Sequence, residues 1–146
     1  MMRPARRLVL ACGTALLLLA PLACGNQYDD YCAALKKDAQ IFSSDGVGNL
    51  LIADLPKLQA LGAKAPDDLQ DEWQTFLTGL GGLSKALAAA GVKAGEFSGT
   101  RPADVTDAEW SAIQIAANNA SSDDVAAASD GIDQQARDVC KLQLGF

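Results

Sequence analysis

Apolar positions recur at helical intervals along most of this chain, and one uncharged apolar run, Leu8 to Ala23, precedes them. Beyond that run, Tyr28, Tyr31, Cys32, Leu35, Ala39 and Phe42 keep the i, i+3, i+4, i+7 spacing of a helix with one buried face. Asp29, Asp30, Lys36, Lys37 and Asp38 occupy the opposite face, and the turn formers from Ser43 to Asn49 end the segment. Leu50, Leu51, Leu55, Leu58 and Leu61 form a second stripe interrupted by Pro56. An interior proline removes a backbone hydrogen bond and clashes with the preceding turn, so the pattern predicts a kink or two short helices there. The bend is a candidate wall for a ligand groove.

Ala65-Pro66-Asp67-Asp68 has the composition of a helix start. The stripe Leu69, Trp73, Phe76, Leu77, Leu80, Leu83, Ser84, Leu87 and Ala88 then predicts the longest helix. Gly79, Gly81 and Gly82 lie within it and imply close approach of a neighbouring helix, or else a hinge or a space for the flat or aliphatic part of a ligand. From Gly91 to Val105 the periodicity lapses into a surface loop, with Glu96, Phe97 and Arg101 as its candidate functional residues. Thr106 and Glu109 have capping-box spacing, with Val105 and Trp110 at the positions of a hydrophobic staple. Trp110, Ile113, Ala117 and Ala120 define the face of the helix that follows, which fades at Asn118-Asn119. After the capping cluster Ser121 to Asp124, a last helix is predicted to bury Val125, Ala128, Ser129, Ile132, Ala136, Val139, Cys140 and Gln143. The expectation is an all-α bundle of four or five helices.

The leading run changes where that bundle is expected to sit. Arg3, Arg6 and Arg7 precede it as a positive flank, and it is shorter than the about 20 residues of a permanent span. This is the layout of a secretory signal. Leu22-Ala23-Cys24-Gly25 at its end resembles a bacterial lipoprotein signal. The resemblance implies a signal peptide over residues 1–23, cleavage before Cys24, a diacylglycerol on the Cys24 sulfur and a further acyl group such as palmitate on the new amino terminus. Residues 24–27 would then be a lipidated tether and residues 28–146 the helical domain, held to the cell membrane on its extracytoplasmic face. Pro21 stands where that family has an aliphatic residue. Ordinary secretion with a free Cys24 thiol is the alternative.

Cysteine arithmetic bears on the same choice. Cleavage removes Cys12, and a lipidated Cys24 leaves Cys32 and Cys140 as a pair. Both lie on predicted inner faces, of the first and last helices, and an exported chain meets oxidising conditions. A disulfide between them would staple the two ends of the domain. A redox-active or metal-bound pair is the alternative, although neither cysteine has a Cys-x-x-Cys partner and the chain contains no histidine.

Composition narrows the function classes. Without histidine the commonest general base and metal ligand are missing, and no phosphate loop or calcium loop replaces them. No catalytic residue, metal ligand or cofactor is therefore assigned. Nine of the 12 basic residues and all 18 acidic ones follow Cys24, a mature net charge of −9, which disfavours nucleic acid as a partner. Asp123, Asp124, Asp130, Asp133 and Asp138 lack ligand-loop spacing and are read as a solvated face. Asp67, Asp68, Asp71 and Glu72 are the densest acids and the candidates for a hydrolase that uses carboxylates alone.

Tyr31-Cys32 near the anchor, the Ala65 to Asp68 helix start with Trp73 beyond it, and a closing helix that ends in Cys140 resemble small secreted lipoproteins of actinobacteria. That likeness implies a fold and an address and supplies no catalytic residue. The expected role is a non-enzymatic envelope component that binds a protein partner or a small apolar ligand. A carboxylate-dependent hydrolase and a purely structural tethered domain are the alternatives.

Overall fold

The computed structural model describes residues 24–42 and 51–146, with the side chains of residues 24–26 excepted. The expectations for the signal peptide, for Pro21, for the Cys24 sulfur and for the turn cluster 43–49 lie outside the described residues. Helix α1 spans Cys24–Lys37 and leads into a 3₁₀ turn at Ala39–Phe42. Residues 51–53 are helical, α2 spans Leu55–Gly62, and a 3₁₀ turn at Asp67–Leu69 opens α3, Gln70–Ala89. Helices α4, Asp107–Ala120, and α5, Asp123–Gln135, follow, and a π-helical turn at Ala136–Cys140 closes the helical part. Among the described residues there is no strand, and the fold is the all-α bundle that the periodicity predicts.

Helix α1 reaches back to Cys24 and so includes the residues expected to form a tether. Gln27 Nε2 donates to the Ala65 carbonyl at 3.3 Å, and the Tyr28 hydroxyl donates to the Asp68 carboxylate at 3.0 Å. These contacts give the first helical turn a tertiary partner, which a short isolated helix would need.

The proline interruption falls as expected. Asp54 turns between residues 51–53 and α2, and Pro56 occupies the first turn of α2, where its missing N–H is no loss. Leu51, Leu55, Leu58 and Leu61 all face the core, and Pro56 itself is exposed.

Helix α3 is the spine. Helix α2 crosses its first half closely enough that a Cβ on Gly62 would lie 2.8 Å from Leu77 Cδ1. On the other side, α4 and α5 run end to end along α3, antiparallel to it, rather than against each other. Gly79 lies opposite the junction, where a Cβ would sit 2.8 Å from Val125 Cγ2 and 3.3 Å from the Ala120 Cα. Further along, Gly131 of α5 lies against the Glu72 side chain. Close helix approach therefore accounts for Gly79, whereas Gly81 and Gly82 would have nothing among the described residues within 4 Å of an added Cβ.

The two ends of the domain meet at one pole. Cys32 and Cys140 form a disulfide across 108 positions with a Cα–Cα distance of 5.1 Å. The π-helical turn alters the expected last stripe. Its wider turn keeps Ala136 and Cys140 on the inner face but rotates Val139 outward, where it is 46% exposed, and Gln143 is exposed as well. Lys141, at φ 55°, donates its N–H to the Ala136 carbonyl, and the chain then reverses so that Leu144 enters the core. Asp133, expected on a solvated face, instead accepts the Leu144 N–H at 2.9 Å and pairs with Arg137. Phe146 sets its ring edge-on to Phe42 and Phe76, with centroids 5.1 Å and 5.4 Å away.

Candidate functional site

An apolar groove without charged lining lies at the pole opposite the disulfide, where the 91–105 loop meets α4. Local chemistry fixes both walls. The Thr106 backbone N–H and hydroxyl donate to Glu109 Oε2 at 2.9 Å and 2.7 Å, and the Glu109 N–H donates back to the Thr106 oxygen at 3.3 Å. Those bonds, the hydroxyl first and the backbone amide second, hold the Glu109 carboxyl below its ordinary pKa. They also fix the start of α4 and hence the direction of Trp110.

The loop is tied to the same helix start. Arg101 Nε donates to the Val105 carbonyl at 2.8 Å, and its guanidinium pairs with Asp107. Phe97, expected in a solvated connector, is buried and tilts against Trp110 with ring centroids 6.4 Å apart. Glu96 pairs with Lys93, at 3.0 Å, on the exposed side. Of the three loop residues singled out from the sequence, Phe97 forms a wall, Arg101 holds the loop in place and Glu96 lies apart.

Between these elements runs a groove of about 460 Å³ lined by Phe97, Trp110, Ile113, Ile115 and Ala117, with Ser111, Gln114 and Asn118 at its polar margin. No ionised side chain lines it among the described residues. Ile115 is 60% exposed, the most exposed large apolar side chain among them. Its position off the Trp110, Ile113, Ala117 stripe is the signal in the sequence, since it sets an isoleucine on the polar face of the helix.

A second hollow of about 560 Å³ lies over the glycines of α3, between Thr75, Thr78 and Gly82 on one side and Ala116, Asn119 and Ser122 on the other. The space beside Gly82 is thus open to solvent rather than filled by a helix.

The acids expected to serve a hydrolase are not gathered into one cleft. Asp68 accepts from Tyr28 and Asp67 from Gln27, at the start of α1. Asp71, Glu72 and Asp124 line a shallow hollow of about 370 Å³ between α3 and α5. No cluster of three or more potential metal ligands occurs among the described residues. No helix among them is long and apolar enough to cross a membrane.

No protein-family model matches the chain, and no curated protein or solved structure is significantly similar to it. What defines its class is the fold itself: an all-α domain whose first and last helical segments are joined by a disulfide.

Proposed function

We propose that this chain is a lipid-anchored extracytoplasmic envelope protein that binds a small apolar ligand, or an apolar segment of a protein partner, in the groove along α4. The observation that carries the reading is the uncharged groove with Trp110 in its wall and Ile115 at its edge. Apolar surface that a domain leaves uncovered is the surface most favourably removed from water by a ligand. The disulfide supports an oxidising address, since such bonds persist outside the reducing cytosol. The contacts of Asp67 and Asp68 with α1 support a binding role over a carboxylate hydrolase.

Trp110 supplies the assay. Titration with a long-chain fatty acid below its micelle concentration should shift indole emission to the blue and saturate. Ile115→Asp should abolish the shift without altering the circular dichroism. A response that is linear, or that survives the substitution, would count against the groove. Intact-mass measurement of the protein from the membrane fraction reports acylation at Cys24 separately.

A further inference from the structure

Accepting the lipid-anchor reading above, on which this rests, we infer that the anchor holds the domain in one orientation, with the disulfide pole against the lipid headgroups and the α4 groove on the far side. A flexible tether would let the domain tumble over the membrane. This chain has almost none.

Helix α1 begins at Cys24, and tertiary bonds begin at Gln27, which donates to the Ala65 carbonyl and to Asp67, and at Tyr28, which donates to Asp68. As helix, the stretch from Cys24 to Gln27 rises about 4.5 Å at 1.5 Å per residue. Even drawn fully out it reaches only about 11 Å at 3.3–3.6 Å per residue. Acyl chains on Cys24 would therefore keep the Ala65–Asp68 corner close to the bilayer surface for as long as those bonds hold.

The position of the groove follows from the spine. Helix α3 starts at that same corner and points away from it, since Tyr31 of α1 meets Trp73 one turn into α3. Helix α4 returns antiparallel, with Ala120 beside Gly79. Trp110, about ten residues before Ala120, therefore lies level with the end of α3, about 24 Å beyond Trp73 along the axis. The groove would face outward, accessible to a ligand or partner arriving from outside the membrane.

Two lysines test this without any substitution. Lys64 adjoins the Ala65 corner and is exposed, and Lys93 lies in the loop at the opposite pole with its side chain 78% exposed. Protein in membrane vesicles, with acylation established by intact mass, is labelled with a small amine reagent and with a polymer-linked one. Peptide mass spectrometry gives the ratio of bulky to small labelling at each lysine. The ratio at Lys64 should fall several-fold below that at Lys93. Equal ratios on acylated protein, or a lower ratio at Lys93, would overturn the fixed orientation while leaving the anchor intact. An unacylated chain would overturn the anchor and the orientation together.

Discussion

The indole N–H of Trp73 donates to the hydroxyl oxygen of Tyr31 at 3.0 Å, and the two rings meet edge to face with centroids 6.4 Å apart. Both side chains are fully enclosed, so this bond ties α1 to the spine where no water can replace it. It is also the first link of an aromatic series that runs through Phe76 to Phe146 and Phe42. Tyr31→Phe keeps the ring but leaves the Trp73 donor buried without an acceptor, at a cost of about 1–3 kcal/mol. Urea unfolding should show that loss, and Trp73→Phe in the Tyr31→Phe background should add less than it does alone. Additive effects would mean that the bond contributes nothing.

The same burial makes the domain sensitive to alkali. Exclusion from water pushes the Tyr31 phenol from 10.0 up to about 12, with the Trp73 hydrogen bond pulling weakly the other way. The folded state thus favours the neutral phenol. Its contribution is complete below pH 10 and lost as the pH rises through about 12, a loss of about 2–3 kcal/mol. Tyrosinate absorbance followed alongside denaturant midpoints should show a late step that Tyr31→Phe removes, and stability falling over that window. Tyr31→Phe should flatten the fall, and an unchanged slope would show that other groups cause it.

Two glycines in one helix should respond in opposite directions. Gly79→Ala pushes a methyl group into Val125 and the Ala120 backbone and should destabilise by about 1–3 kcal/mol, as overpacked sites do. Gly82→Ala meets nothing within 4 Å and should stabilise by up to about 1 kcal/mol through helix propensity. Thermal unfolding of the two variants decides. The same sign for both would mean that α4 and α5 do not approach α3 as closely as described.

Removal of the disulfide by Cys32→Ala with Cys140→Ala should cost about 4–5 kcal/mol, the loop-entropy value for a ring of this size. Because the Gly145 N–H also donates to the Phe42 carbonyl at 3.1 Å, the tail should stay docked at low denaturant. Amide exchange of Gly145 and Leu144 would report that directly. Immediate exchange in the double variant would show that the bridge alone holds the tail.

Gln135 offers a gain. Its side-chain nitrogen and oxygen are both shut off from solvent and make no hydrogen bond among the described residues. Replacement by Met, similar in length and without the amide, removes that desolvation cost and should leave stability unchanged or raise it by about 1 kcal/mol. A marked fall in denaturant midpoint would imply an ordered water on that amide.

Much of this architecture was legible in the sequence because its signals are local or strictly periodic. The Thr106–Glu109 box, the Pro56 interruption and the Leu69 to Leu87 stripe depend on residues three or four apart, and helical geometry dictates their outcome. The Cys32–Cys140 pairing was legible for a different reason, since the periodicity sets both cysteines on the inner faces of the first and last helices. What stayed hidden depends on partners distant in sequence. Nothing local distinguishes Gly79 from Gly82, because the difference is the presence of Val125. Likewise, the outward turn of Val139 and the burial of Leu144 follow from a π-helical turn set by tertiary packing, and Asp133 turns inward because the reversed tail presents it with an amide. The groove was the least legible feature, since Phe97 had to be recognised as a wall from within a loop.

The end-to-end course of α4 and α5 along α3 has a mechanical consequence. Each covers its own half of the spine and little of the other, so the half bearing the cross-link and the aromatic series can remain assembled while the half bearing the groove opens and recloses. Such a molecule would loosen from the groove-bearing tip inward, and its most readily reshaped segment would be the one farthest from the cross-link.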